Sequence, residues 1–214
     1  MSNIIKPTVI LALVAFFSAL VLSHVNKVTQ PRIAQQQKEK QRIALETVLP
    51  GYKVIEEKKA PVEGKEFLYW IGEKQVDEKT TAKAYAFIAT GHGYSGEVKT
   101  MVGVDEKGTL LAISIILQPE TPGLGARSQE VASKRTLVDV IMGKVFQESM
   151  VPWFQQQFSG LDGNSKISIV KKGDWTPAMK DELLQKNAIS AITGATITSR
   201  TVKESIEQGI NTLK

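Results

Sequence analysis

The sequence predicts an α+β domain carried behind a single N-terminal transmembrane helix. Three observations predict it. Thr8 to Val25, "TVILALVAFFSALVLSHV", contains no formally charged residue. Glu97–Val104 and Thr109–Leu117 are β-rich runs on either side of "DEKG", the pattern of two strands joined by a turn. Val202, Ile206, Ile210 and Leu213 recur at a spacing that places one apolar stripe on a helix.

Taken in order, residues 1–7 form a short tail and residues 8–25 the anchor. Eighteen helical residues rise roughly 27 Å, close to a hydrocarbon core of about 30 Å. Lys6 and Lys27 flank the run. The apolar stretch is long for a signal peptide and no A-x-A cleavage site follows it, which favours a retained anchor. The excess of Lys and Arg after the span points to a cytoplasmic body, whereas the short tail before it is the layout of an export signal-anchor; charge alone leaves the side open. Residues 26–50 read as a polar juxtamembrane helix or linker, the helical stretch Gln30–Leu49 being stopped by Pro50-Gly51. Residues 51–214 are the folded domain. Within it Glu66–Ile71 and Lys83–Thr90 are β-rich, and Ser128–Met150 carries Val131, Leu137, Val140, Ile141 and Val145 near helical spacing. Lys166–Lys172 alternates as a strand, and Thr176-Pro177 opens a helix running to Lys186.

Composition removes several function classes. The chain has 214 residues, a net charge of +5 and no cysteine. Thiolate-held iron–sulfur clusters, Cys-type zinc sites and disulfides are therefore excluded. His24 and His92 lie far apart and no G-x-S-x-G elbow occurs, so neither a metal centre nor a serine triad is expected. The basic residues Lys38, Lys40, Arg42, Lys53, Lys58, Lys59 and Lys65 are interleaved with acids, which argues against a nucleic-acid stripe; they read as a solvated mixed surface, with a surface near lipid headgroups as the alternative.

Two loops are candidates for a cofactor. "ETPGLGA", Glu120–Ala126, follows the longest apolar strand. Pro122-Gly123 fits a type II turn, and Gly125 lacks a Cβ, so a planar group could approach the backbone there. The second is "ITGATITSRTV", Ile192–Val202. Gly194-Ala195 leaves room for close approach, and a helix starts behind it near Thr198–Thr201, where Thr201 and Glu204 fit a capping box. Hydroxyls of Thr193, Thr196, Thr198 and Ser199 surround a helix N-terminus, a natural seat for phosphate. No G-x-x-x-x-G-K-S/T motif is present, so this is not a P-loop. Tyr94, in "GYSG", reads as a core tyrosine and Trp70, Trp153 and Trp175 as core or surface packing; the alternative for each is a place against a planar cofactor.

"TGATITS", Thr193–Ser199, resembles the flavinylation motif S/T-G-A-T-x-S/T-S of FMN-binding subunits of bacterial ion-pumping oxidoreductases. The likeness extends through "GHGYSGEVKTMVGVDEKGTLLAISIILQPETPGLGA" and covers essentially the whole chain. It is greatest to the RnfG family of the Rnf electron-transport complex, with the NqrC family of sodium-pumping quinone reductases as the related alternative. The resemblance implies a twisted antiparallel sheet with packed helices that carries FMN. By position, Thr196 is the residue that takes the flavin through a phosphoester bond, installed by a separate flavin transferase using FAD and Mg²⁺. Thr121, Gly123, Leu124 and Gly125, with Glu120 beside them, are expected near the ring. Thr193, Gly194, Ala195, Thr198 and Ser199 are expected around the phosphate. The implied role is an electron relay in a ferredoxin:NAD⁺ complex that moves ions, with the other complex subunits and the lipid bilayer as partners. The resemblance also implies a single-pass protein of the bacterial inner membrane with its domain on the periplasmic side. A membrane-tethered adaptor without redox function is the alternative from another class. The sequence departs from the family at two places: Ser190 stands where Asp is frequent, and Gln118 where His is frequent.

Overall fold

The computed structural model describes residues 2–62, 65–77, 80–131 and 151–213. They divide into two compact units, Met1–Arg42 and Ile43–Lys214. A single helix α1, Ser2–Val48, contains both Pro7 and Pro31. Its apolar side chains, among them Leu11, Phe17 and Leu22, are exposed, and it is long and apolar enough to cross a membrane. The expected polar helix is the continuation of α1. It ends just before Pro50-Gly51, where Gly51 takes a positive φ of 78°, the left-handed conformation that commonly stops a helix.

Five strands follow as an antiparallel meander in chain order: β1 (Lys53–Val62), β2 (Lys65–Asp77), β3 (Thr80–His92), β4 (Glu97–Asp105) and β5 (Leu110–Leu117). Strand alternation gives the sheet two apolar faces. Ala84, Ala86 and Met101 point to one side and pack with Ala44, Val48 and Leu49 from the end of α1. Gly103 lies on that face because a Cβ there would overlap the Val48 carbonyl. Phe87, Ala89, Val98, Val102 and Val104 point to the other side.

The second face is covered by the C-terminal half of the chain. A 3₁₀ turn, Gly125–Gln129, leads out of β5. Residues 132–150, most of the stretch Ser128–Met150 with helical spacing, lie outside the described residues. A short helix α2 (Trp153–Gln156), strand β6 (Ser168–Val170), a 3₁₀ turn Pro177–Met179, helix α3 (Lys180–Gln185) and strand β7 (Ala188–Ser190) come next. β6 and β7 pair in parallel. Helix α4 (Thr196–Leu213) then buries Val202, Ile206 and Ile210 against the sheet. The predicted apolar stripe is therefore the core-facing side of α4, and it sets where the helix N-terminus must point.

Candidate functional site

α4 begins at Thr196, earlier than the capping-box pattern suggests. The Thr201 hydroxyl does not cap the helix; it donates to the carbonyl of His92 at 2.9 Å and ties the first turns of α4 to the end of β3. Before the helix, the loop is closed by Ser199. Its hydroxyl accepts the Ile192 N–H at 2.9 Å and donates to the Ala195 carbonyl at 3.2 Å. Gly194 takes a φ of 80° at the turn, a conformation that suits glycine. The first intrahelical bond runs from the Ser199 N–H to the Ala195 carbonyl. The N–H groups of Thr196, Ile197 and Thr198 therefore lie at the open start of the helix, which carries a partial positive charge.

The Glu120–Ala126 loop meets this turn. Thr121 accepts the N–H groups of Leu124 and Ala126 through its carbonyl. Gly123 has a φ of 78° and nothing near its missing Cβ, as a type II turn requires. Gly125 serves a different purpose: a Cβ there would stand 2.5 Å from both Glu120 Oε2 and Thr198 Oγ1. The Thr198 hydroxyl donates to Glu120 Oε2 at 2.9 Å, and this buried bond joins the two loops. Gln118 accepts the Glu120 N–H at 2.9 Å, so the residue that replaces the frequent histidine holds the start of the loop.

Between the loops lies a cavity of about 390 Å³ lined by Tyr94, Glu120, Thr121, Leu124, Gly125, Gly194, Ala195, Thr196, Ile197 and Thr198. Its size falls in the range typical of small-molecule sites. Nine of these ten come from the two sequence motifs, Ile197 among them although it is not an expected contact; Tyr94, the tenth, comes from the turn after β3. Gly123, Thr193 and Ser199 shape the loops but do not line the cavity. Tyr94 is 76% exposed, not interior: it sits at the tip of the turn closed by the Gly93 N–H to Gly96 carbonyl bond, which points it outward. Trp70, Trp153 and Trp175 are buried, in the core rather than at the surface.

The hydroxyls of the loop have different fates. Those of Thr198, Ser199 and Thr201 are engaged as described. The Thr196 hydroxyl has no hydrogen-bond partner among the described residues, and Thr196 lines the cavity at the helix start. The Thr193 side chain hydrogen-bonds the Asp174 carboxylate, so of the two helix-start threonines that line the cavity, Thr198 has its hydroxyl engaged and Thr196 does not.

A charged cluster holds the other end of the turn. Asp174 Oδ1 accepts the Thr193 N–H at 3.3 Å, and Asp174 Oδ2 accepts Arg127 Nη2 at 2.8 Å. Arg127 also pairs with Glu130 at 2.9 Å and lies over the Trp153 ring. Burial pushes the Asp174 carboxyl up, but the Arg127 guanidinium and the Thr193 N–H outweigh it and hold it below the usual range. The Asp174 and Glu130 carboxylates raise the Arg127 pKa in turn. Ser190 takes no part here: its hydroxyl donates to the Gly173 carbonyl at 2.6 Å from buried β7. The carboxylate that holds the start of the hydroxyl loop is thus Asp174, which follows the Gly173 turn in "KKGDW". A lone acid after a glycine was the only sequence signal for it.

Known proteins resemble the chain over most of its length. Residues 93–211 match the FMN-binding domain family, and residues 1–48 match the RnfG N-terminal region. The chain is 30% identical, over 94% of its length and 86% of the relative, to the G subunit of the proton-translocating ferredoxin:NAD(+) oxidoreductase complex of Clostridium ljungdahlii. It is 27% identical, over 97% of its length and 90% of the relative, to the G subunit of the Na(+)-translocating ferredoxin:NAD(+) oxidoreductase complex of Acetobacterium woodii. Among solved structures, the C subunit of the Na(+)-translocating NADH-quinone reductase of Parabacteroides distasonis shares the fold. Its TM-score is 0.51 at 19% identity, over 84% of this chain and 92% of that one.

Proposed function

The chain belongs to the FMN-binding domain family, in the RnfG branch found in Rnf complexes, and from that premise we propose that it relays electrons in a membrane-bound, ion-translocating ferredoxin:NAD⁺ oxidoreductase, carrying FMN as a phosphoester on Thr196. One observation carries the covalent assignment: the Thr196 hydroxyl lines the cavity at the start of α4 and has no partner among the described residues.

The residues present fit the group. The partly exposed helix start offers N–H groups and positive potential to a phosphodiester anion. Glu120, Thr121, Leu124, Gly125, Gly194, Ala195 and Thr198 wall the cavity, with Tyr94 and Ile197 at its exposed rim. Gly123, Thr193 and Ser199 hold the two turns in the shape that makes it. FMN, when bound, supplies the redox chemistry, and the protein supplies position and polarity.

A threonine hydroxyl is a weak nucleophile, so attachment requires a flavin transferase. The Thr196 oxygen bonds to the FMN phosphorus of FAD, the pyrophosphate P–O bond breaks, AMP leaves, and the hydroxyl proton passes to a base of the transferase. The exposed Gly194 and Ile197 on either side leave Thr196 open to an incoming enzyme.

Membrane placement follows the same premise. Residues 8–25 span the bilayer, residues 26–50 are the juxtamembrane segment, helical as far as Val48, and residues 51–214 form the FMN-binding domain on the periplasmic side of the inner membrane. The other subunits of the complex are its partners. Covalent attachment retains the flavin where no cytoplasmic pool replaces it.

Co-expression with the transferase, followed by a denaturing gel, tests the assignment. A fluorescent wild-type band and a dark Thr196→Ala band are expected. A dark wild-type band favours a tethered adaptor. Protease added to spheroplasts is expected to digest the domain; protection would contradict the periplasmic placement.

A further inference from the structure

Glu120 is 7% exposed and belongs to the cavity wall. Its carboxylate accepts the Ser95 N–H at 3.2 Å and the Thr198 hydroxyl at 2.9 Å. None of the ion pairs among the described residues includes it. Two glycines make room for it: a Cβ at Gly93 would overlap Oε1, and one at Gly125 would crowd Oε2. The fold thus keeps a carboxylate inside the cofactor cavity, satisfied by neutral donors only.

The neighbouring hydroxyl adds to the effect. Thr198 has one proton to donate, and it goes to Glu120. Toward the cavity Thr198 can therefore present only oxygen lone pairs. A carboxylate and a committed hydroxyl make that side of the wall electronegative.

We propose that Glu120 is a potential-setting residue: its charge, paired with no cationic side chain among the described residues, holds the flavin in this cavity at a lower reduction potential than a neutral side chain would. The inference rests on the reading of Thr196 as the flavin carrier. Reduction adds negative charge to the cofactor, and a fixed anion close by opposes it, more strongly where water is excluded. Holding the potential low suits a relay that must pass electrons onward rather than trap them. Gln at this position keeps a side-chain oxygen and nearly the same shape while removing the charge.

The test is a spectroelectrochemical titration of the full-length, transferase-treated protein in detergent. Glu120→Gln is expected to shift the flavin midpoint to a more positive value. Glu120→Asp retains the charge but shortens the reach to Ser95 and Thr198, and its midpoint is expected to stay close to wild type. Thr198→Val removes the donor that partly offsets the carboxylate, so its midpoint is expected to move in the negative direction. An unchanged midpoint in Glu120→Gln overturns the proposal, as does an equal shift of the same sign in all three variants, which marks a structural role. If Glu120→Gln fails to accumulate, Thr198→Val decides alone, and a midpoint at or above wild type overturns the proposal. Flavin that is present but insensitive to these changes leaves the Thr196 assignment standing. A wild-type protein that carries no flavin defeats that assignment and this proposal together.

Discussion

Gly125→Ala should destabilise the domain far more than its size suggests. The added methyl would stand 2.5 Å from Thr198 Oγ1 and Glu120 Oε2 and 2.8 Å from Glu120 Cβ. These atoms belong to buried side chains and have little freedom to retreat. Overpacking of this kind costs about 1–3 kcal/mol. Displacing the Thr198–Glu120 bond removes a hydrogen bond to a charged group, worth about 1.5–3 kcal/mol. The lower unfolded-state entropy of alanine returns about 0.4–1 kcal/mol. The net loss is about 3 kcal/mol, which at a urea slope of about 2 kcal/mol/M lowers the midpoint by about 1.5 M. The assay is urea unfolding of the full chain in detergent, followed by tryptophan fluorescence. Trp70, Trp153 and Trp175 are all buried in the Ile43–Lys214 unit, so the signal reports on the domain. Gly123→Ala is the control: it meets only backbone strain at φ 78°, about 1 kcal/mol. A Gly125→Ala midpoint equal to wild type, or higher than that of Gly123→Ala, would refute the packing of Glu120 and Thr198 around Gly125.

Two further outcomes are expected. Glu207→Ala strips the partner from Lys203, whose side chain is 7% exposed and pairs with Glu207 at 2.8 Å, and it frees the Ile167 N–H that Glu207 accepts at 2.7 Å. Breaking such a pair costs about 3–5 kcal/mol; Lys203→Met combined with Glu207→Gln should recover most of it in the same urea assay. The folded pKa of Asp174 is depressed below its ordinary value of 3.8, so its stabilisation is complete above that value and is lost as pH falls through the lower folded value. Hydrogen exchange at the Thr193 amide should therefore stay slow from pH 7 to 5 and lose protection only below about pH 4; loss of protection near neutrality would contradict the Asp174 contact.

Much of the fold is legible in the sequence where a strand run is apolar and bounded by turn residues. Lys83–Thr90, Glu97–Val104 and Thr109–Leu117 alternate apolar residues that face two cores, and each became a strand of the sheet. β1 was not legible. "KVIEEKKAPV" carries charges on both faces and a proline, and the strand forms at the sheet edge, where such residues guard against further pairing. β7 is not legible because three residues, "AIS", hold no period; tertiary contacts define it. Gln157 supplies two of them, with its side chain accepting the Ser190 N–H and donating to the Ser190 carbonyl.

The site shows the same division. Both cofactor loops stand out as motifs, and the structure brings them to one cavity. The individual jobs of their residues depend on contacts across the fold. The capping-box pattern at Thr201 misplaces the helix start because that hydroxyl is claimed by His92 on another element. Gly125 reads as room for a ligand, yet the space beside it holds the Glu120 carboxylate and the Thr198 hydroxyl. Arg127 and Asp174 are far apart in sequence and meet only when the 3₁₀ turn after β5 reaches the Gly173 turn.

Peptide mapping by mass spectrometry tests the covalent claim most directly, on protein purified after co-expression with the transferase. The peptide containing Thr196 should be heavier by one FMN less one water, with fragmentation placing the increment on Thr196. An unmodified peptide throughout the population, or flavin attached to a different residue, would contradict the account.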